Sequence, residues 1–220
     1  MVHTVPQQLN RREALRYLGV KGKPDGATLA LLDRAEQTLR RTAQPRSTVT
    51  LAPRAELSAY LLGSDLQKHL DGCDRCALLS CTLGAGVDTA QRLASATDMA
   101  YAVVLDALAS VLAEQIADAA EDALRQQLQT EGLYVTGRFS PGYGDFPLEM
   151  QQALIRLTDA PRKIGLCVTP THLLVPRKSI TAVLGVADHP VTGKRAGCEH
   201  CALRHTCRYH KEGTTCESDL

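Results

Sequence analysis

The chain has 220 residues, 44% hydrophobic and 22% charged, enough to bury a full core in one domain with at most a small appendage. Its 25 Lys and Arg against 24 Asp and Glu leave a formal charge of +1, which excludes an overall field that would gather nucleic acid or an anionic membrane. The N-terminal stretch lacks the apolar run of a signal peptide and no later window suggests the ~18 to 20 apolar residues of a membrane span, so the sequence reads as cytoplasmic.

In chain order, Asn10 followed by Glu13 is a capping-box-like start for a short helix ending near Gly19. A second helix is predicted from about Ala27 to Thr42, with Leu29, Leu32, Ala35, Leu39 and Ala43 at helical spacing and Pro45 beyond its end. Ser47 to Leu51 alternates like a strand, and a polar helix follows around Asp65 to Leu70. Ala77 to Leu83 reads as a buried strand, stopped by Gly84 and Gly86, which mark a loop. The longest periodic segment runs from Asp98, an N-cap, to Gln129, with Val104, Leu108, Val111 and Leu112 as its apolar stripe and Glu114 on the flank. Leu133 to Thr136 predicts a strand, Phe139 to Pro147 a Gly/Pro loop, Leu148 to Leu157 a helix, and Ile164 to Val168 and Ile180 to Val186 two strands. Helices and strands mix without regular βαβ alternation. The expected fold is therefore α+β, a single domain with a largely antiparallel twisted sheet flanked by helices, one of them long and central. Residues 1–70 are read as framework, 71–190 as the binding core and 191–220 as a Cys-rich tail.

The loop Arg138-Phe139-Ser140-Pro141-Gly142-Tyr143-Gly144-Asp145-Phe146-Pro147 carries the most chemistry. Gly142 and Gly144 let a backbone approach a bound group, two prolines restrict the loop, Arg138 offers a fork of donors suited to a carboxylate, and Tyr143 adds a ring and a hydroxyl. A rigid connection with an incidental arginine has the same composition. Glu114 likewise shares a polar row with Asp106, Asp118 and Asp122 that an ordinary solvated helix face would show. Phosphate-cradling loops, a metalloprotease helix and a hydrolase elbow are missing from the sequence.

Arg138, Pro141, Gly142 and Tyr143 match the Arg-x-x-Pro-Gly-Tyr loop of the activation domain of vitamin B12-dependent methionine synthases, which this sequence resembles over about residues 77 to 190. Asp98-Met99 through Leu112-Ala113-Glu114 resembles that family's long helix with its Leu-Ala-Glu element. Ile164 to Thr169 resembles the following strand, and Val175-Pro176-Arg177-Lys178-Ser179-Ile180 its Trp-Pro-Gly-Ala-Ser-Val segment. The resemblance implies that the chain binds S-adenosylmethionine: Arg138 on the methionyl carboxylate, backbone near Ser140 and Gly142 on polar groups, Tyr143 lining the site and Glu114 facing the amino group. It also implies the role. Cobalamin held by the synthase, or by a related corrinoid protein, lapses into an inactive cob(II) state; an electron from a donor protein and a methyl group from S-adenosylmethionine restore it, with no catalytic side chain needed and no activity expected of the chain alone.

The sequence departs from the larger synthases after His189, where Gly197-Cys198-Glu199-His200-Cys201 through Cys207 replaces a tyrosine-containing segment, as in the tails of stand-alone activation proteins. Eight cysteines without an export signal point to metal or redox chemistry rather than disulfides. Cys198, Cys201 and Cys207, completed by Cys216, Cys167, His200, His205 or His210, have spacing suited to zinc or an iron–sulfur cluster. Cys73, Cys76 and Cys81 form a second, weaker candidate set, since Cys81 falls in the predicted buried strand. The competing function is a redox protein that uses these cysteines to reduce a corrinoid protein, with the arginine loop as docking surface only.

Overall fold

The computed structural model describes residues 1–191, built on a four-stranded antiparallel sheet with a 31-residue helix packed on one face. The chain opens with α1 (Arg11–Tyr17), where Asn10 accepts the Glu13 N–H, and α2 (Gly26–Thr42), capped in the same way by Asp25 on Thr28. There follow β1 (Arg46–Pro53), a 3-10 turn, α3 (Ser64–His69), β2 (Arg75–Thr82), α4 (Ala85–Thr97), α5 (Met99–Gln129) and β3 (Tyr134–Val135). The chain then forms α6 (Met150–Leu157), α7 (Ala160–Ile164), a small ribbon of β4 (Cys167–Val168) and β5 (Leu174–Val175), and β6 (Ser179–Ala187). The sheet order is β1-β2-β6-β3.

Both faces of the sheet are covered, which is why β2 is buried at every position after Arg75 rather than at alternate ones. Ala77 and Leu79 of β2 and Leu184 and Val186 of β6 pack against Ala120, Leu124 and Leu128 of α5. With the two-residue period of a strand, Cys76, Leu78 and Val183 face the other way, onto Leu66, Leu70, Phe146 and Leu154. The first half of α5 is enclosed by α1, α2 and α4, through Ala14, Leu32, Leu39, Val87 and Ala94. Leu9, Ala14, Leu32, Ala35 and Leu39 of the N-terminal part thus share one core with α5. An 18-residue stretch of α5 reaches a mean hydropathy of 1.5, so, contrary to the sequence reading, one helix is long and apolar enough to cross a membrane. That stretch is mostly buried against the rest of the chain, which accounts for its composition as that of a core helix.

Two elements differ from expectation. Residues after Gly84 form α4, not a loop: a Cβ at Gly86 would lie 2.3 Å from the Thr42 carbonyl oxygen, so this glycine serves the close approach of α4 to the end of α2. The predicted strand from Ile164 to Val168 is split, its first residue ending α7, which has Pro161 in its first turn and a left-handed Gly165 at its end.

Candidate functional site

Register at the edge of the sheet aims the key arginine. Val135 pairs with Val186, so an unbroken ladder would place Arg138 opposite Val183. Thr136 keeps to that register, donating to the Gly185 carbonyl, but it is Phe139 that exchanges both backbone hydrogen bonds with Val183, at 2.9 and 2.8 Å. One extra residue has entered, a β-bulge at Gly137–Arg138, and bulges redirect side chains. Phe139 turns toward His69 and Phe146 on one face, while Arg138 reaches α5 on the other.

There Arg138 meets three carboxylates. Its Nη2 lies 3.1 Å from Glu114 and 2.9 Å from Asp118, and its Nη1 3.1 Å from Glu121. Steps of four and three residues put these acids on one face of α5. Glu121 is 1% exposed, whereas about half of the Glu114 and Asp118 side-chain surface is open. Arg125 completes the cluster, donating to Glu121 at 2.7 and 3.0 Å and to the carbonyls of Val135 and Thr136, which ties α5 to β3. Three carboxylates face two guanidiniums, leaving one negative charge in excess within these five residues. Partial burial raises the Glu114 carboxyl above its ordinary range, Asp118 adds to the rise, and Arg138 only partly offsets it.

One turn earlier on the same face of α5, Lys178 donates to Ser110 Oγ at 2.8 Å and pairs with Asp106 at 2.9 Å. Asp106 and Ser110 line a groove of about 440 Å³ between α1, α4 and α5, together with Tyr17, Met99 and Val103. Neither Arg138 nor Tyr143 lines this groove, or either of two further cavities of about 480 and 390 Å³ near Arg46 and Cys73.

The loop itself is braced from the far side. Gly142 adopts φ +92°, a left-handed conformation suited to glycine, and its N–H donates to the Phe146 carbonyl at 2.8 Å. The Tyr143 N–H donates to Ser140 O at 3.1 Å. Asp145 accepts the N–H groups of Ser64 and Asp65 and the Ser64 hydroxyl, so it caps α3, whose own cap position is glycine. These donors hold the Asp145 carboxyl below its ordinary value. Of the residues expected to hold a ligand, Glu114 and Arg138 are brought together. Ser140, Gly142 and Tyr143 lie farther along, with the Gly142 N–H used inside the loop and the Tyr143 ring 67% exposed. Arg138, expected to await a ligand's carboxylate, has both terminal nitrogens on the protein's own acids.

No family model and no curated protein matches the sequence. A solved structure does match: that of the MetH reactivation domain bound to AdoHcy, with a TM-score of 0.61 over 97% of this chain and 85% of that chain, at 16% sequence identity. The chain has the MetH reactivation-domain fold.

Within the reactivation-domain fold the first cysteine group is part of the core, which corrects the sequence reading of Cys73, Cys76 and Cys81 as a metal set. Cys76 and Cys81 are five residues apart on β2 and therefore point to opposite faces, one among the α3 and α6 contacts, the other among those of α5. Burial pushes both thiols up to about 12, as expected of cysteines packed as small apolar side chains. Among the described residues no group of three or more His, Cys, Asp or Glu side chains is placed to hold a metal. Cys198, Cys201, Cys207 and Cys216, with His200, His205 and His210, lie outside the described residues.

Sequence reading missed Glu121, Arg125 and Lys178 as members of the charged row, and took Asp106 and Asp118 as plain surface. The available signal was Asp106, Glu114 and Asp118 on one face of a helix whose only basic residue, Arg125, stands at its far end, so that most of the row needs cations from other elements.

Proposed function

We propose that this chain is an S-adenosylmethionine-binding activation protein that supports reductive methylation of oxidised cobalamin in a methionine synthase. The meeting of Glu114 with Arg138, 24 residues away, carries the reading. It occurs on a fold whose solved neighbour is bound to AdoHcy, the compound left when S-adenosylmethionine gives up its methyl group.

The charge of the cluster suits the methyl donor. S-adenosylmethionine carries an ammonium, a sulfonium and a carboxylate, a net +1, and the five-residue cluster has one negative charge in excess. The amino-acid end enters by exchange: its carboxylate takes the fork of Arg138, and its ammonium takes Glu114 and Asp118, so each protein charge trades one partner for another. Glu121, buried and also held by Arg125, keeps the guanidinium in place during the exchange. The raised Glu114 carboxyl is one whose charge is poorly compensated, and an arriving ammonium relieves it.

Ser140 and Gly142 would border the ligand, and the exposed Tyr143 ring would close over it or face the partner. Residues 71–190 form the binding core and 1–70 its framework. The partner is the cobalamin-bearing module of a methionine synthase or a related corrinoid protein in the cytoplasm, with a separate protein donating the electron. Cys198, Cys201, Cys207 and Cys216 would bind zinc or an iron–sulfur cluster. The chain's own contribution is orientation, holding the sulfonium methyl where the partner's cobalt can take it. The test is titration calorimetry with both compounds: S-adenosylmethionine should bind more tightly than AdoHcy, with a preference that shrinks as salt is raised. Methyl label should then pass to cobalt in a mixture with reductant and inactive synthase. A protein that binds neither compound overturns the reading, and leaves a corrinoid-reducing cysteine protein in its place.

A further inference from the structure

We propose that His69 is a positioning residue for Arg138: from the opposite face of the sheet, its imidazole holds the bulge that aims the guanidinium at α5. The inference rests on the S-adenosylmethionine reading and adds to it a residue that touches no ligand.

Phe139, paired with Val183, belongs to the apolar α3 face, and a one-residue slip would exchange it with Arg138. The leucines on that face exclude a guanidinium and so select the bulged register. Register leaves open where the bulge itself sits, because an inserted residue gives up its ladder bonds and other donors must take its carbonyls. The Gly185 N–H bonds to the Thr136 hydroxyl at 2.8 Å rather than to a carbonyl, and Arg125 donates from α5 to the Thr136 carbonyl. The buried Gly137 carbonyl accepts the Thr136 hydroxyl at 3.0 Å and His69 Nε2 at 2.8 Å. The hydroxyl moves with its own strand. Of these two donors, His69 is the one that ties Gly137 to another element.

His69 grips both chain neighbours of Arg138. Its nitrogen is on Gly137, and its ring lies 5.2 Å from that of Phe139, tilted by 50°. It ends α3, whose first turn is held in turn by Asp145 through the Ser64 and Asp65 N–H groups. A Cβ at Gly63 would lie 2.8 Å from the Asp145 carbonyl oxygen, so helix and loop are in close contact there as well. One short helix thus ties down the chain at 137 and at 145, on either side of the segment that carries Arg138 and Tyr143. Burial holds the imidazole below its ordinary value of 6.5, so the ring is neutral at pH 7, and because a carbonyl only accepts, its one proton is on Nε2. With its backbone fixed in this way, Arg138 can change partners on ligand entry without moving its own attachment.

Nitrogen NMR and calorimetry on the full-length protein test the assignment. In the unaltered protein at pH 7, His69 should appear as the Nε2–H tautomer; an Nδ1–H tautomer overturns the role without any variant. His69→Phe keeps a ring against Phe139 and removes the donor, and should weaken S-adenosylmethionine about tenfold while shifting the Arg138 Nε–H resonance. His69→Gln, which returns a nitrogen donor, should restore most of both. If the protein binds S-adenosylmethionine but His69→Phe lowers only stability in urea, with affinity and the Arg138 resonance unchanged, the positioning role is wrong and the function stands. If the unaltered protein does not bind S-adenosylmethionine, the function is wrong, and the Arg138 resonance alone decides the role: a shift in His69→Phe that His69→Gln reverses upholds it, and an unmoved signal overturns it.

Discussion

Arg138 and Phe139 are neighbours in the chain, and the bulge between them and β6 sends one to each face of the sheet. On the α5 face, charges sit half open around one buried carboxylate, with more acid than base. On the α3 face, Phe139 and Phe146 pack among leucines, and Asp145 spends its charge on the end of a helix. One half of the loop is a fastening and the other, in the function proposed, a site. A binding group must be able to exchange partners, and it can do so only if its neighbours in the chain cannot.

The largest expected effect lies on the fastening side. Phe146→Ala removes a side chain that is 1% exposed, and should cost about 4 kcal/mol of stability in urea unfolding. Arg138→Ala comes next. It strips Glu121 of one of two guanidiniums and should destabilise by about 3 kcal/mol, while weakening S-adenosylmethionine binding by about 1.5 to 3 kcal/mol. Because that variant confounds folding with binding, Arg138→Lys is the sharper probe. A point charge should restore much of the stability against Glu121 but not the bidentate hold on a carboxylate. Full affinity in Arg138→Lys would show that the fork contributes nothing.

How far this division was legible in the sequence follows from the range of the interactions. The capped helices at Asn10 and Asp98 and the apolar run of β2 are local signals, and the structure bears them out. Gly86 carried the opposite of its usual meaning, since its missing side chain serves a contact with Thr42 rather than a turn. Pro161 and Gly165 framed a short helix that the apolar content of Ile164 to Val168 obscured. Pairing Arg138 with Glu114 was accessible only by resemblance. Spacing with Ala117, Leu124 and Leu128 puts Glu121 on the buried face of α5, but its pairing with Arg138 was not accessible, because that depends on a one-residue slip between β3 and β6 that no local pattern announces.

Two carboxyls, one on each side, should respond to acid with opposite sign. The raised Glu114 carboxyl favours the fold while protonated; that contribution is full below the ordinary value of 4.5 and lost as pH rises through the higher folded value. Glu114→Gln should therefore gain stability relative to the unaltered protein toward neutral pH, while losing about 1.5 to 3 kcal/mol of S-adenosylmethionine binding. The Asp145 carboxyl lies below its ordinary value of 3.8, so its contribution is present above that value and lost as pH falls through the folded one. Asp145→Asn should accordingly lose stability at neutral pH, and the loss should vanish in acid. Unfolding curves of the two variants from pH 3 to 7 that shift in the same direction would erase the contrast between the faces.

The smallest effect is also the one that separates the faces in time. Cys76 lies on the α3 side of β2 and Cys81 on the α5 side, and burial holds both thiols near 12, so neither reacts as a thiolate in the native state at pH 8. Cys167, exposed on β4, should be alkylated at once, with peptide mapping to tell the sites apart. The rates at Cys76 and Cys81 then measure the opening of each face. If the charged face is built to exchange partners, Cys81 should be labelled several-fold faster than Cys76, and S-adenosylmethionine should slow Cys81 alone. Equal rates, slowed equally by ligand, would mean that the sheet and α5 open as one unit and that exchange at Arg138 is confined to side chains.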